Sequence, residues 1–191
     1  DFVTFTLLPG IAIDTTNFPD KTFRDYVSDE FDDNSDGVLS DDEIAEANRI
    51  TCNYREISNL KGIEHFTALT ALNCSNNKLT NLDVSSNTAL EYLNCSGNQL
   101  TELEVGSNTA LTTLSCGGNP LTSLNVSKNT ALTTLSCTNN SLTKLDVSDL
   151  TELTELTCSG NPLTSLDVSQ NHKLETLYCS SCALTSLDLS G

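Results

Sequence analysis

Residues 32 to 43 read Asp32-Asp33-Asn34-Ser35-Asp36-Gly37-Val38-Leu39-Ser40-Asp41-Asp42-Glu43. Oxygen donors fall at alternate positions on Asp32, Asn34 and Asp36. They continue with the Val38 carbonyl and with Ser40, directly or through water, and end on Glu43, whose carboxylate can offer both oxygens. Calcium is a hard cation that takes oxygens at about 2.3 to 2.6 Å, and this spacing supplies them in order. Gly37 stands where the chain must turn sharply. The other reading is a helical hairpin whose acids only cap and solvate; the complete ligand spacing with its glycine favours the ion.

The flanks agree with either reading. Asn17-Phe18-Pro19-Asp20 has the form of a helix start, after which Phe23, Val27 and Phe31 recur every fourth residue on one face. Ser40 and Glu43 have capping-box spacing for a second helix carrying Ile44 and Ala47. The run D-x-N-x-D-G-x5-E resembles the calcium loop of an EF-hand, with Leu39 in the apolar place that lies in a short strand in paired EF-hands. No second such loop occurs in the sequence. The resemblance therefore implies a Ca2+ ion that fixes two helices, not a paired sensor.

Other reactive side chains form no constellation. His65 and His172 stand apart, and no phosphate-cradling glycine loop is present. Cys179 and Cys182 form a C-x-x-C, but with no partnering His or second C-x-x-C they read as structural residues rather than as a redox or metal site. Cys74, Cys95, Cys116, Cys137, Cys158 and Cys179 are spaced by 21 residues without exception, so none can be a unique nucleophile.

That cysteine column belongs to a repeat. Leu69, Leu72, Cys74, Asn77 and Leu79 recur as Leu90, Leu93, Cys95, Asn98 and Leu100, and so on to Leu184. Alternation at Leu72-x-Cys74 predicts a short strand with one buried face, and stacked 21-residue coils make these strands parallel neighbours. The second half of each unit copies the first: Leu79-x-x-Leu82-x-Val84-x-x-Asn87 predicts another extended segment on the opposite side of the coil. Asn77, Asn98, Asn119, Asn140 and Asn161 are expected to turn inward at a bend and pair with backbone groups. Cys182 takes that place in the last unit. Parallel strands hold neighbouring Cβ atoms about 4.7 to 4.9 Å apart, too far for an unstrained disulfide, so the column is expected as free thiols.

The pattern L-x-x-L-x-C-x-x-N-x-L resembles the leucine-rich repeat. Five complete units run from 69 to 173, a truncated sixth begins at 174, and a degenerate unit spans 47–68 around Ile50, Cys52, Ile57 and Leu60. The expected fold is α/β, mostly β and coil: a leucine-rich-repeat solenoid of 21-residue parallel β coils over 47–191, capped by a small N-terminal helical EF-hand-like segment, 1–46. A helical calcium-loop leader before such an array is similar to the internalin group of bacterial surface proteins. Internalin repeats usually have about 22 residues and are followed there by an immunoglobulin-like domain. Host-receptor binding therefore does not carry over.

Composition narrows the function. The 191 residues hold 9 Lys plus Arg against 26 Asp plus Glu, a net charge of -17, which repels phosphate backbones and anionic lipid. Nucleic-acid binding and membrane insertion are not expected; Phe2 to Ile13, the longest apolar stretch, is interrupted by Pro9-Gly10 and is short of the roughly 20 residues a span needs. A signal peptide has been removed or was never present, and the array breaks off at Leu189-Ser190-Gly191 without a change of pattern, as in a longer array cut short.

Two surfaces are open to a partner. On the first face, Asn73, Tyr92, Asn94, Thr113, Thr134, Glu155 and Tyr178 are the candidate contacts, with Tyr92 and Tyr178 as aromatic anchors; alternatively these side chains only solvate a ladder. On the second face Asp83, Glu104, Asn125, Asp146, Asp167 and Asp188 form a column that either caps turns or collects cations, the following Ser and Asn favouring turns. The expected function is that of a non-enzymatic, monomeric, calcium-binding module engaging a protein or glycan at a bacterial cell surface or in secreted form. The alternatives are a structural spacer in a longer surface protein and a non-catalytic fragment of an enzyme or effector.

Overall fold

A computed structural model describes residues 10–188. The stretch 1–9 and the closing Leu189-Ser190-Gly191 lie outside the described residues, as does most of the apolar Phe2 to Ile13 stretch. The chain opens with β1 (Gly10–Ala12), α1 (Lys21–Phe31), β2 (Val38–Ser40) and α2 (Asp41–Glu46). It then winds into coils, each contributing one strand to a common parallel sheet: β3 (Arg49–Thr51), β4 (Ala71–Asn73), β5 (Tyr92–Asn94), β6 (Thr113–Ser115), β7 (Thr134–Ser136), β8 (Glu155–Thr157) and β10 (Thr176–Tyr178).

The sheet keeps one register throughout, with Ile50, Leu72, Leu93, Leu114, Leu135, Leu156 and Leu177 as direct neighbours. A constant 21-residue step delivers the same side chain to the same place in each coil, so leucine stacks on leucine. From β3 to β4 the step is one residue longer, Ile50 pairing with Leu72 and Cys52 standing 22 residues before Cys74. The degenerate unit is thus a true coil of the array with a slightly wider loop.

The second extended segment predicted on the far side is present. Asp83, Glu104 and Asn125 form parallel bridges, and β9 (Ser165–Asp167) pairs with β11 (Ser186–Asp188). Between the two faces Leu79, Leu90, Leu100, Leu111, Leu121, Leu132, Leu142, Leu153 and Leu163 are fully enclosed in one continuous core. One coil cannot enclose these residues by itself, which makes every coil dependent on its neighbours.

Two asparagine rows hold the coils together. Asn98 Nδ2 donates to the Cys95 carbonyl of its own coil at 2.9 Å and to the Cys74 carbonyl of the preceding coil at 3.1 Å, while its Oδ1 accepts from the Leu79 N–H at 3.0 Å. Asn77, Asn119, Asn140 and Asn161 repeat the arrangement. The second row is Asn87, Asn108, Asn129 and Asn171. Each is buried and donates Nδ2 to two carbonyls of the preceding coil. The Oδ1 atoms of this row have no partner, and Leu150 replaces the asparagine in one coil without interrupting the stack.

The N-terminal segment packs on the first coil. Phe18, Phe23, Tyr26 and Val27 share the core of Ile50, Ile57, Leu60, Ile63 and Phe66. Phe18 meets Phe66 at 6.5 Å and Phe31 meets Phe66 at 5.3 Å, centroid to centroid. The Tyr26 hydroxyl accepts from the Thr51 N–H at 3.0 Å, and the Arg55 guanidinium lies 4.8 Å from the Tyr26 ring centre. Gly62, at φ +107°, lets the backbone pass directly under the Phe18 ring, where any Cβ would overlap it.

Candidate functional site

The loop after α1 is wound by its own side chains. Asp32, the C-cap of α1 and buried, accepts from the Asp36 and Gly37 N–H groups at 3.0 Å each. Asn34 Oδ1 also accepts from Asp36 N–H, and Asp36 Oδ1 from Val38 N–H, both at 2.9 Å. Gly37 has φ +79°, the left-handed turn for which glycine was expected. Val38 and Ser40 lie in β2, which pairs antiparallel with β1, Ile11 opposite Leu39. The strand at Leu39 therefore exists, and its partner comes from upstream apolar residues for which no strand was expected.

Glu43 closes the loop from the far end. Its Oε1 accepts from the Asp33 N–H at 3.0 Å, and its Oε2 from the Ser40 N–H and hydroxyl at 2.8 Å each. With the Glu43 N–H donating to Ser40 Oγ at 3.2 Å, this completes the capping box. The Ser40 N–H and then its hydroxyl hold the Glu43 carboxyl below its ordinary range. Helix α2 is shorter than expected: it carries Ile44 but ends at Glu46, and Ala47 is its C-cap, buried against the core.

The donor set is oxygen throughout, the chemistry a hard divalent cation requires. In this geometry the carboxylates face N–H groups of the loop. Among the described residues no three Asp, Glu, His or Cys side chains converge into a metal-holding group. The structure thus brings Asp32 and Glu43 to opposite ends of one closed loop and leaves Asn34 and Asp36 on its exposed rim.

On the sheet, the outward positions form rows in register. Tyr92, Thr113, Thr134, Glu155 and Thr176 are successive neighbours, as are Asn73, Asn94, Ser115, Ser136, Thr157 and Tyr178. Glu155 and Tyr178 are exposed; Tyr92, Thr113 and Thr134 are half-buried. Asn73 and Asn94 are partly committed elsewhere, since each Oδ1 accepts at 3.1 Å from the N–H two residues on, at Ser75 and Ser96. On the opposite face three carboxylates of the acidic column cap turns. Asp83, Asp146 and Asp167 accept from Ser85, Ser148 and Ser169 N–H at 3.0, 3.0 and 2.9 Å. Serine hydroxyl and N–H donation lowers the Asp83 and Asp146 pKa values.

Residues 67–105, 88–129 and 130–171 match the family model for leucine-rich repeats in two copies. The chain belongs to the leucine-rich-repeat family. A leucine-rich-repeat relative, internalin J of Listeria monocytogenes serotype 4b, is 43% identical over 71 residues, which is 37% of this chain and 8% of that protein. The chain thus spans under a tenth of the length of the curated relative it matches. Among solved structures, internalin C2 of L. monocytogenes superposes with a TM-score of 0.84 at 19% identity, over 94% of this chain and 81% of that one. A leucine-rich-repeat protein of Leptospira interrogans gives a TM-score of 0.62 at 27% identity, over 69% of this chain and 40% of the other. Among the described residues, no helix is long and apolar enough to cross a membrane.

Three features of this leucine-rich array escaped the sequence reading. Tyr54 is 74% exposed at φ +56°, the position that Asn76, Gly97, Gly118, Asn139, Gly160 and Ser181 fill in later coils; only the irregular 22-residue step hides it from the repeat. Asp20 both caps α1 and reaches the first coil, and the second asparagine row acts as a ladder of its own. The signal for the row was in the copied half-repeat at Asn87.

Proposed function

We propose that the chain is a non-enzymatic binding module of an internalin-like bacterial protein, acting at the cell surface or in secreted form, and that it engages a protein partner through the outward face of its β3–β10 sheet. The observation that carries this reading is the unbroken in-register face of seven strands, on which Tyr92, Glu155 and Tyr178 stand among small polar side chains. Such a repeated face offers contact area, with aromatic anchors where binding energy concentrates. His65 supports the non-enzymatic reading, because its ring packs edge-on against Phe18 at 5.9 Å.

Calcium belongs to the same proposal. Asp32, Asn34, Asp36, the Val38 carbonyl, Ser40 and Glu43 would hold it, and the ion would neutralise the acidic loop between α1 and α2. The all-oxygen donor set and the closed loop with its left-handed glycine support this. The role is structural: the loop joins the helices that cover the first coil.

A structural spacer is the second reading, favoured by the commitment of Asn73 and Asn94 to turns. The two part in one experiment. Proteins captured by the immobilised chain from bacterial and host surface extracts are titrated against wild type, Tyr92→Ala and Tyr178→Ala. A binder on this face weakens at least about five-fold with one substitution. A captured protein indifferent to both, or no capture, removes the sheet face from the proposal.

A further inference from the structure

Past each strand the parallel hydrogen bonding continues into the following turn. The Tyr54 N–H donates to the Ser75 carbonyl at 3.1 Å, and the N–H groups of Asn76, Gly97 and Gly118 donate to the Ser96, Gly117 and Thr138 carbonyls at 2.8 Å each. Tyr54, Asn76, Gly97 and Gly118 are therefore successive neighbours, about 4.7 to 4.9 Å apart, along one edge of the sheet face.

At the head of this row stands an aromatic side chain that folding does not use. Tyr54 is 74% exposed; among the described residues its ring stacks on no other and its hydroxyl makes no hydrogen bond. Its φ of +56° suits the glycine or asparagine that most later coils place there and disfavours a bulky residue. A ring held outside the core at such a position adds nothing to the stability of its coil.

Beside it the surface is polar and uncharged. Asn76 is exposed, and its carboxamide leans along the row, since a Cβ on Gly97 would stand 2.6 Å from Asn76 Oδ1. Gly97 and Gly118 raise no side chain over the backbone. In a chain of net charge -17, the row from Tyr54 to Gly160, the residue before each of its members and the outward strand row from Thr51 to Thr157 hold no charged residue. The charges next along the chain are already committed: Glu56 pairs with Lys78, and the Arg55 guanidinium lies over the Tyr26 ring.

A charged polymer meets no complementary field on this edge, and a protein interface core needs several apolar side chains where the edge has one. A neutral sugar chain matches both features. The C–H face of a pyranose packs on an aromatic face, and its hydroxyls, donors and acceptors at once, suit a carboxamide that also offers both.

We propose that Tyr54 and Asn76, with the side-chain-free stretch at Gly97 and Gly118, bind a neutral oligosaccharide along the turn edge. Tyr54 is the stacking platform and Asn76 the hydrogen-bonding group. Tyr92 and Tyr178 lie outside this site.

The test uses the full chain with maltohexaose, cellohexaose, xylohexaose and chitohexaose as neutral probes, and sialyllactose and a heparin hexasaccharide as charged ones. Binding is read by saturation-transfer NMR and by affinity titration. At least one neutral probe is expected to bind, and the charged probes to bind more weakly. Tyr54→Gly, which suits the left-handed backbone, should keep the wild-type thermal midpoint and weaken that binding at least about ten-fold. Asn76→Gly should weaken it as well, and Tyr54→Phe, which keeps the ring, should retain it. No neutral probe binding, charged probes binding as tightly, or Tyr54→Gly binding like wild type would each overturn the proposal. Tyr92→Ala and Tyr178→Ala should leave sugar binding unchanged, so this site and the protein-binding face can fail independently.

Discussion

Asp20 and Ser58 join the N-terminal helix to the first coil through a single carboxylate. Asp20 Oδ2 accepts from both the Ser58 N–H and the Ser58 hydroxyl at 2.8 Å, while Oδ1 caps α1 by accepting from the Phe23 N–H at 3.1 Å. Partial burial pushes the Asp20 pKa up, but the Ser58 N–H and hydroxyl together with the Phe23 N–H outweigh it, and the net direction is down. A carboxyl with a lowered folded pKa adds stability that is present above its unfolded value of about 3.9 and is lost as pH falls through the folded value.

Acid titration of stability should therefore show this link. Asp20→Asn is expected to lower the urea midpoint at pH 7 and to flatten the decline below about pH 4, because the amide cannot titrate. Ser58→Ala should produce part of the same loss. A midpoint and acid profile equal to wild type for Asp20→Asn would mean that the helix and the coil are held by their aromatic contacts alone.

The two asparagine rows should respond unequally. Asn119→Leu removes two donations to carbonyls and leaves the Leu100 N–H, 3.1 Å from Asn119 Oδ1, unsatisfied inside the core. A loss of about 1 to 3 kcal/mol is expected from the orphaned donor. Asn129→Leu should cost less, because its Oδ1 has no partner and Leu150 already fills the equivalent place one coil on. Equal losses in chemical denaturation would refute the distinction.

The buried thiols predict an alkaline limit. Burial pushes Cys52 and Cys158 up to about 12 and raises Cys74, Cys95, Cys116 and Cys137 as well. Unfolded thiols ionise near pH 8.5, so stability is full below that value and falls as pH rises toward the folded one. Each fully enclosed thiol contributes a decline of about 1.4 kcal/mol per pH unit. Circular dichroism should show unfolding a unit or two above about pH 8.5, and Cys116→Val should shift it upward. A flat profile to pH 11 would exclude this linkage.

Calcium gives a fourth measurement. If the loop takes the ion, a chelator lowers the thermal midpoint of the wild type, and Asp32→Ala or Glu43→Gln abolishes the difference, since a ligand bound only by the native state stabilises it. Each variant also removes loop hydrogen bonds, so the readout is the calcium-dependent difference and not the midpoint itself. A wild-type midpoint indifferent to calcium and chelator would leave the loop as a hydrogen-bonded hairpin.

Much of this molecule is local, and local features are legible. The 21-residue phase of Leu72, Cys74 and Asn77 determines that coils stack, which strand face is enclosed and which amide reaches the bend, because each requirement repeats at a fixed interval. The capping box at Ser40 and Glu43 and the turn at Gly37 are likewise set by neighbours a few residues apart. Tertiary structure alone decided what has no period. It paired β1 with β2 and set Asp20 on Ser58 across 38 residues of chain. A contact made once between distant segments leaves no spacing in the sequence, because it depends on which surfaces pack together and not on the residues beside it.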